Sequence, residues 1–138
     1  MLRGTGEGGR PSLLLVDDEP DILDFLERAL RRSYQVTRFS DPVAALGAVK
    51  VRPFDVLITD QKMPGLSGLE LLAAVADLQP DTVRVLISGF TDDVPEIAHA
   101  LTLARIHNFV LKPIDSVQLV EAIATATRRA GQRDHVTK

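Results

Sequence analysis

Residues 13–30 read LLLVDDEPDILDFLERAL, and this stretch decides the fold. Leu13–Val16 is apolar at every position, with no polar alternation. That is the pattern of a short strand buried on both faces, as in a parallel sheet. Asp17, Asp18 and Glu19 end the run at once. Ile22, Leu26, Ala29 and Leu30 then recur at helical spacing. A buried strand, an acidic turn and an amphipathic helix in direct succession make one β–α unit.

The same unit repeats along the chain. Further short apolar or β-branched runs stand at Tyr34–Phe39, Asp55–Thr59, Val83–Ile87 and Asn108–Leu111. Helical patterns separate them. Asp41-Pro42 is a cap with proline at the first helical position, opening a second helix through Ala45, Leu46 and Val49. Ser67-x-x-Glu70 has the form of a capping box and opens a third helix that ends near Leu78. A fourth helix is expected over about 94–104, with Pro95 in its first turn, and a fifth over about 116–130. Five alternations give an α/β fold, a single (βα)5 doubly wound parallel sheet with helices on both faces. Right-handed crossovers leave few topologies.

Composition fits one ordinary domain. The chain has 138 residues, 45% hydrophobic and 25% charged, with no Cys and no Trp. Disulfides, thiolate catalysis and Cys-ligated zinc are excluded. Net charge is −3, but residues 1–12 carry +1, residues 128–138 carry +3, and the body between them carries −7. An acidic body with 4% aromatics argues against binding nucleic acid. No run approaches the roughly 18 apolar residues of a membrane span, and no signal peptide is read, so a cytoplasmic protein is expected. Residues 1–11 hold four of the nine Gly and read as a flexible lead-in, 12–130 as the domain, and 131–138 as a basic C-terminal tail.

In a doubly wound sheet, ligands bind at the carboxyl ends of the strands. After the first strand stand Asp17, Asp18 and Glu19; after the third, Asp60; after the fourth, Ser88-Gly89; after the fifth, Lys112-Pro113. Crowded carboxylates repel unless a cation joins them. An all-oxygen set suits Mg²⁺ (or Mn²⁺) rather than zinc or copper. A lysine and a hydroxyl beside it match a phosphoryl group, and an Asp next to Mg²⁺ is a plausible nucleophile for capturing one.

The phrases VDDEPD, LITDQKMPGLSG, VLISGF and FVLKP, in this order and each at a strand end, resemble the receiver domain of bacterial response regulators over about residues 12–130. The resemblance implies a flavodoxin-like strand order 2-1-3-4-5. It also implies roles. Asp60 would be phosphorylated, Asp18 would bind the metal directly, Asp17 would act mainly through water, and Lys62 would offer its backbone carbonyl to the metal. Lys112 would pair with the phosphoryl group and Ser88 would hydrogen-bond it. Phe109 would be the aromatic that follows the switch. Pro64, Gly68, Gly89 and Pro113 would support the loops, with the peptide before Pro113 often cis. The expected partners are a histidine kinase or histidine phosphotransfer protein and an unidentified downstream protein. The docking surface would be helix 4, strand 5 and helix 5, which is also a candidate homodimer interface. No external reaction is expected, so the chain is read as regulatory rather than as an enzyme. With the domain filling 12–130, no output domain fits within these 138 residues, and a chain complete at this length is expected to act by docking.

Plainer readings stand beside these. Asp17 and Asp18 could cap the first helix, Asp60 could be a turn residue, and Phe109 is expected in the core. Glu19, Asp21 and Asp24 suit a helix N-terminal turn. His99, His107 and His135 show no ligand spacing. Two other function classes remain. One is a binding module on the same fold without phosphorylation. The other is an aspartate-nucleophile phosphatase, disfavoured because Lys62 stands where such enzymes carry a second Asp.

Overall fold

Five parallel strands form one sheet in the order β2-β1-β3-β4-β5, as expected. A computed structural model describes residues 9–89, 102 and 105–136, the last five through their backbone alone. The strands are β1 (Ser12–Val16), β2 (Gln35–Phe39), β3 (Val56–Asp60), β4 (Val83–Ser88) and β5 (Asn108–Leu111). The described helices are α1 (Pro20–Leu30), α2 (Pro42–Val51), α3 (Gly68–Leu78) and α4 (Ser116–Val136). The helix expected over about 94–104 lies, apart from residue 102, outside the described residues, as does His99.

The central strands β1, β3 and β4 are buried at every position, which explains their unbroken apolar runs. Alternate side chains feed two cores. Leu13, Leu15, Val56, Ile58, Val85 and Ile87 pack with Leu23, Leu26 and Leu30 of α1 and with Leu119 and Ile123 of α4. Leu14, Val16, Leu57 and Leu86 face the other way, onto Ala45 and Val49 of α2 and Leu71, Leu72 and Val75 of α3. Fully burying one such Leu contributes about 2 kcal/mol.

Local signals hold at both expected caps. The Asp41 carboxylate accepts from Val43 N–H at 3.0 Å. At α3, Ser67 Oγ accepts from Glu70 N–H and Glu70 Oε1 accepts from Ser67 N–H, a complete capping box. The last helix runs on to Val136, so residues 131–136, read as a tail, continue α4. At the other end, the lead-in is tied down from Pro11, whose carbonyl accepts from Gln35 N–H at 2.8 Å.

Three polar clusters that periodicity did not mark lock the opposite end of the sheet from the acids. Gln79 is buried: its amide donates to the carbonyls of Val49 and Arg52, and its Oε1 accepts from Phe54 N–H and Thr82 Oγ. Arg84 is 2% exposed within β4, and its guanidinium donates to the carbonyls of Pro80, Thr82 and Arg105. His107 Nδ1 accepts from Arg84 N–H at 2.9 Å, so this histidine is a structural acceptor. The Asp55 carboxylate accepts from Ser12 N–H at 2.9 Å and joins the starts of β1 and β3.

Candidate functional site

The carboxyl ends of β1, β3 and β5 converge on one edge. Asp17 follows β1 directly and is fully buried. Its Oδ1 accepts from Glu19 N–H at 2.9 Å. Its Oδ2 is buried with no hydrogen-bond partner among the described residues. A buried carboxylate oxygen left unpaired is costly, and the usual explanation is a group that completes it. Asp17 does not cap α1; the N-cap is Glu19, with no side-chain cap bond. The plain capping reading of the Asp pair therefore fails.

Burial pushes the Asp17 carboxyl from 3.8 up to about 6; the Glu19 N–H and Lys112 pull it down, while Asp60 and Glu19 carboxylates push it up. Asp60 closes β3 at 4% exposure. Burial also raises the Asp60 carboxyl, against the lowering effect of Lys112, with the Asp18 charge adding to the rise. Lys112 Nζ lies 3.1 Å from Asp60 Oδ1 and 4.0 Å from a Glu19 oxygen. Burial works to lower the Lys112 ammonium, but Asp60, Asp17 and Glu19 together hold it above its ordinary value. The site is thus an over-acidic pocket with Lys112 set against its buried aspartate.

Asp17, Asp18 and Glu19 place one carboxylate oxygen each within 4.8 Å of one another. This all-oxygen set, in which Asp17 also carries an orphaned oxygen, fits a hard divalent cation such as Mg²⁺. Glu19, read from sequence as a helix-terminus acid, belongs to this cluster.

Backbone hydrogen bonds across the sheet fix the relative positions of these groups. Gln61 N–H donates to the Ile87 carbonyl, and Lys112 N–H donates to the Ser88 carbonyl. Ser88 ends β4 at 1% exposure, next to Gly89. The Lys112-Pro113 peptide is cis, as the resemblance implies. The loop after Asp60 carries exposed Lys62 and Pro64, and Gly65 takes φ +88°, where glycine is unstrained. Gly68 has a sharper reason to be glycine. A Cβ there would strike the backbone carbonyl of Asp60. Gly68 N–H also donates to the Gln61 carbonyl at 2.9 Å, and Gln61 Oε1 accepts from Leu69 N–H. Gln61 therefore fastens the start of α3 to the end of β3, a role that no spacing signalled.

One expectation is corrected. Phe109, expected in the core, is 41% exposed, and Leu111 is 43% exposed. The reason is position: on the edge strand β5 only Val110 turns into the core, while Phe109 and Leu111 alternate onto the other face.

A family described as the response regulator receiver domain matches residues 13–124. The hydrogenase transcriptional regulatory protein HoxA of Cupriavidus necator is 35% identical over 120 residues, covering 87% of this chain and 25% of HoxA. The response regulator protein PilR of Pseudomonas aeruginosa is 36% identical over 120 residues, covering 86% of this chain and 26% of PilR. The chain thus spans about a quarter of the length of these relatives. Among solved structures, the signal receiver domain of an HD domain-containing protein from Pseudomonas fluorescens Pf-5 superposes with a TM-score of 0.81 at 29% identity, covering 91% of this chain and 93% of that one. The strand order, the strand-end acids facing a lysine, and a family match over most of the chain lead to one conclusion: this chain belongs to the response regulator receiver domain family.

Proposed function

We propose that the chain is a phosphorylation-controlled switch in which Asp60 accepts a phosphoryl group from a phosphohistidine of a histidine kinase or histidine phosphotransfer protein. The observation that carries this reading is the buried Asp60 carboxylate held 3.1 Å from Lys112 Nζ beside the orphaned oxygen of Asp17. An Asp60 oxygen attacks phosphorus, the phosphorus–nitrogen bond breaks, and the imidazole leaves. Lys112 then moves its charge from the carboxylate to the phosphoryl oxygens, and Ser88 donates a hydrogen bond to them. Asp17, Asp18 and Asp60, with the Lys62 carbonyl, would hold Mg²⁺ or Mn²⁺. The ion would neutralise the crowded acids and the incoming phosphoryl oxygens.

The apolar hollow beside Lys112, lined by Ile22, Phe25, Pro113 and Ile114, gives a donor protein a surface next to the reacting atoms. Movement of Ser88 and Phe109 would be read at the face that β5 and α4 present. Exposed Phe109, Leu111, Val117 and Val120 support docking of a downstream protein or a second copy there. Among the described residues no helix is long and apolar enough to cross a membrane, and we place the switch in the cytoplasm with its kinase.

Labelling with a small acyl phosphate plus Mg²⁺ tests the assignment. Wild type should incorporate one phosphoryl group and Asp60→Asn none; equal labelling of the two would sink it. Absence of any response to beryllofluoride would favour the unphosphorylated binding module.

A further inference from the structure

The charge of this domain is sharply divided. Residues 28–52 carry five Arg, one Lys and a single acid, Asp41, within a body whose net charge is −7. The fold sets Arg38 on the sheet-edge strand β2 and brings Arg28, Arg31 and Arg52 beside it. Arg28, at the end of α1, and Arg31 and Arg32 after it are exposed, and no carboxylate lies within ion-pairing distance of any of them among the described residues. On the α2 side, the Arg52 guanidinium lies 4.5 Å over the Phe54 ring and donates to Thr37 Oγ of β2 at 3.2 Å. Stacking holds that cation at the strand instead of leaving it on a mobile stem. Arg38 is bridged by Asp24 at 2.7 Å and Glu27 at 2.9 Å, and the other two cations lining the groove between α1 and β2 are Arg28 and Arg31.

The backbone of β2 adds direction. Gln35 N–H donates to the Pro11 carbonyl, and the Phe39 carbonyl accepts from Asp17 N–H, so Gln35, Thr37 and Phe39 pair inward with β1. The amides and carbonyls of Val36 and Arg38 therefore face outward. They offer an incoming strand two residues of ladder, in a frame about 17 Å long.

We propose that the β2 edge and its arginines are the docking surface for an extended acidic peptide segment of a partner protein. The segment pairs with Val36 and Arg38 and sets its carboxylates against Arg28, Arg31 and Arg52. A peptide fits better than a nucleic acid. The acidic remainder of the domain repels a long polyanion, while a short acidic strand reaches only the cations beside β2. The surface is separate from the pocket at the ends of β1, β3 and β5, so docking does not block that pocket.

The test uses the whole chain with a short labelled peptide of repeating Glu-Glu-Val-Val, whose carboxylates fall on both faces of an extended strand. Its Lys–Val counterpart and a DNA duplex of similar charge serve as controls. Binding of the acidic peptide alone is expected, weakening steeply with salt, with the largest amide shifts in NMR at Val36 and Arg38. Binding should fall at least about tenfold in Arg28→Gln/Arg31→Gln/Arg52→Gln and by a smaller factor in Arg28→Gln/Arg31→Gln, which leaves the Phe54 stack intact. Both variants should keep acyl-phosphate labelling and wild-type circular dichroism. The proposal is overturned by no peptide binding at low salt, by undiminished binding to the variants, by shifts spread over all basic residues, or by tighter binding of the DNA.

Discussion

Replacing Asp17 by Asn separates what the acidic pocket costs from what it does. In the folded chain, burial and the Asp60 charge raise the Asp17 carboxyl from 3.8 to about 6. Ionising a group so raised costs the fold about 3 kcal/mol relative to the unfolded chain. The sign is fixed by the direction. The acid contributes no penalty below about pH 4, where it is protonated in both states. The penalty grows as pH rises and is complete above about 6. Asn keeps the oxygen that accepts from Glu19 N–H and turns an amide toward the acids in place of the unpaired oxygen. The new amide is incompletely bonded, and Lys112 already offsets part of the charge. The expected net gain is therefore about 1–2 kcal/mol at pH 7.5 without metal, or roughly 3–7 °C in Tm for a domain of this size. Thermal unfolding with EDTA at pH 7.5 and 4.5 reads the difference. Asp17→Asn should be the more stable protein at pH 7.5, the gain should fade by pH 4.5, and millimolar Mg²⁺ should stabilise wild type more than the variant. A variant that is less stable at pH 7.5, or whose gain is the same at both pH values, would refute the argument that the pocket is over-acidic.

Three further outcomes follow from the same geometry. Gly68→Ala should cost about 2–4 kcal/mol in urea unfolding, because its Cβ meets the Asp60 carbonyl; a cost under about 0.5 kcal/mol would show that α3 can move away freely. Gln79→Leu should cost about 3 kcal/mol, since it strands the Phe54 N–H and the Val49 and Arg52 carbonyls, whereas loss of the exposed Arg38 bridges in Arg38→Met should cost no more than about 1 kcal/mol. Lys112→Met should leave the fold intact but slow acyl-phosphate labelling at least about tenfold, and unchanged labelling would remove Lys112 from the reaction.

The elements of this fold were written locally. The runs of β1, β3 and β4 are apolar at nearly every position because both faces are covered, and the Asp41 and Ser67–Glu70 caps satisfy helix ends within a few residues of themselves. Asp17, Asp18, Asp60, Ser88 and Lys112 were readable as a set because each ends or follows a strand, and parallel strands deliver their ends to one edge. The polar groups that tie distant segments were not readable. Gln61 bonds the start of α3, Gln79 gathers Val49, Arg52, Phe54 and Thr82, and Arg84 reaches Arg105; none of these pairings leaves a periodic trace. Sequence placed Phe109 in the core from its type, and only its position on the edge strand exposes it. Sequence by itself determined which side chains reach the carboxyl edge, because the strands and where they end follow from hydrophobic patterning. Tertiary structure alone decided how they meet: that Asp17 carries an unpartnered oxygen, that Lys112 lies against Asp60, and that scattered arginines line one open strand. Those depend on distances between segments far apart in the chain, and only packing sets them.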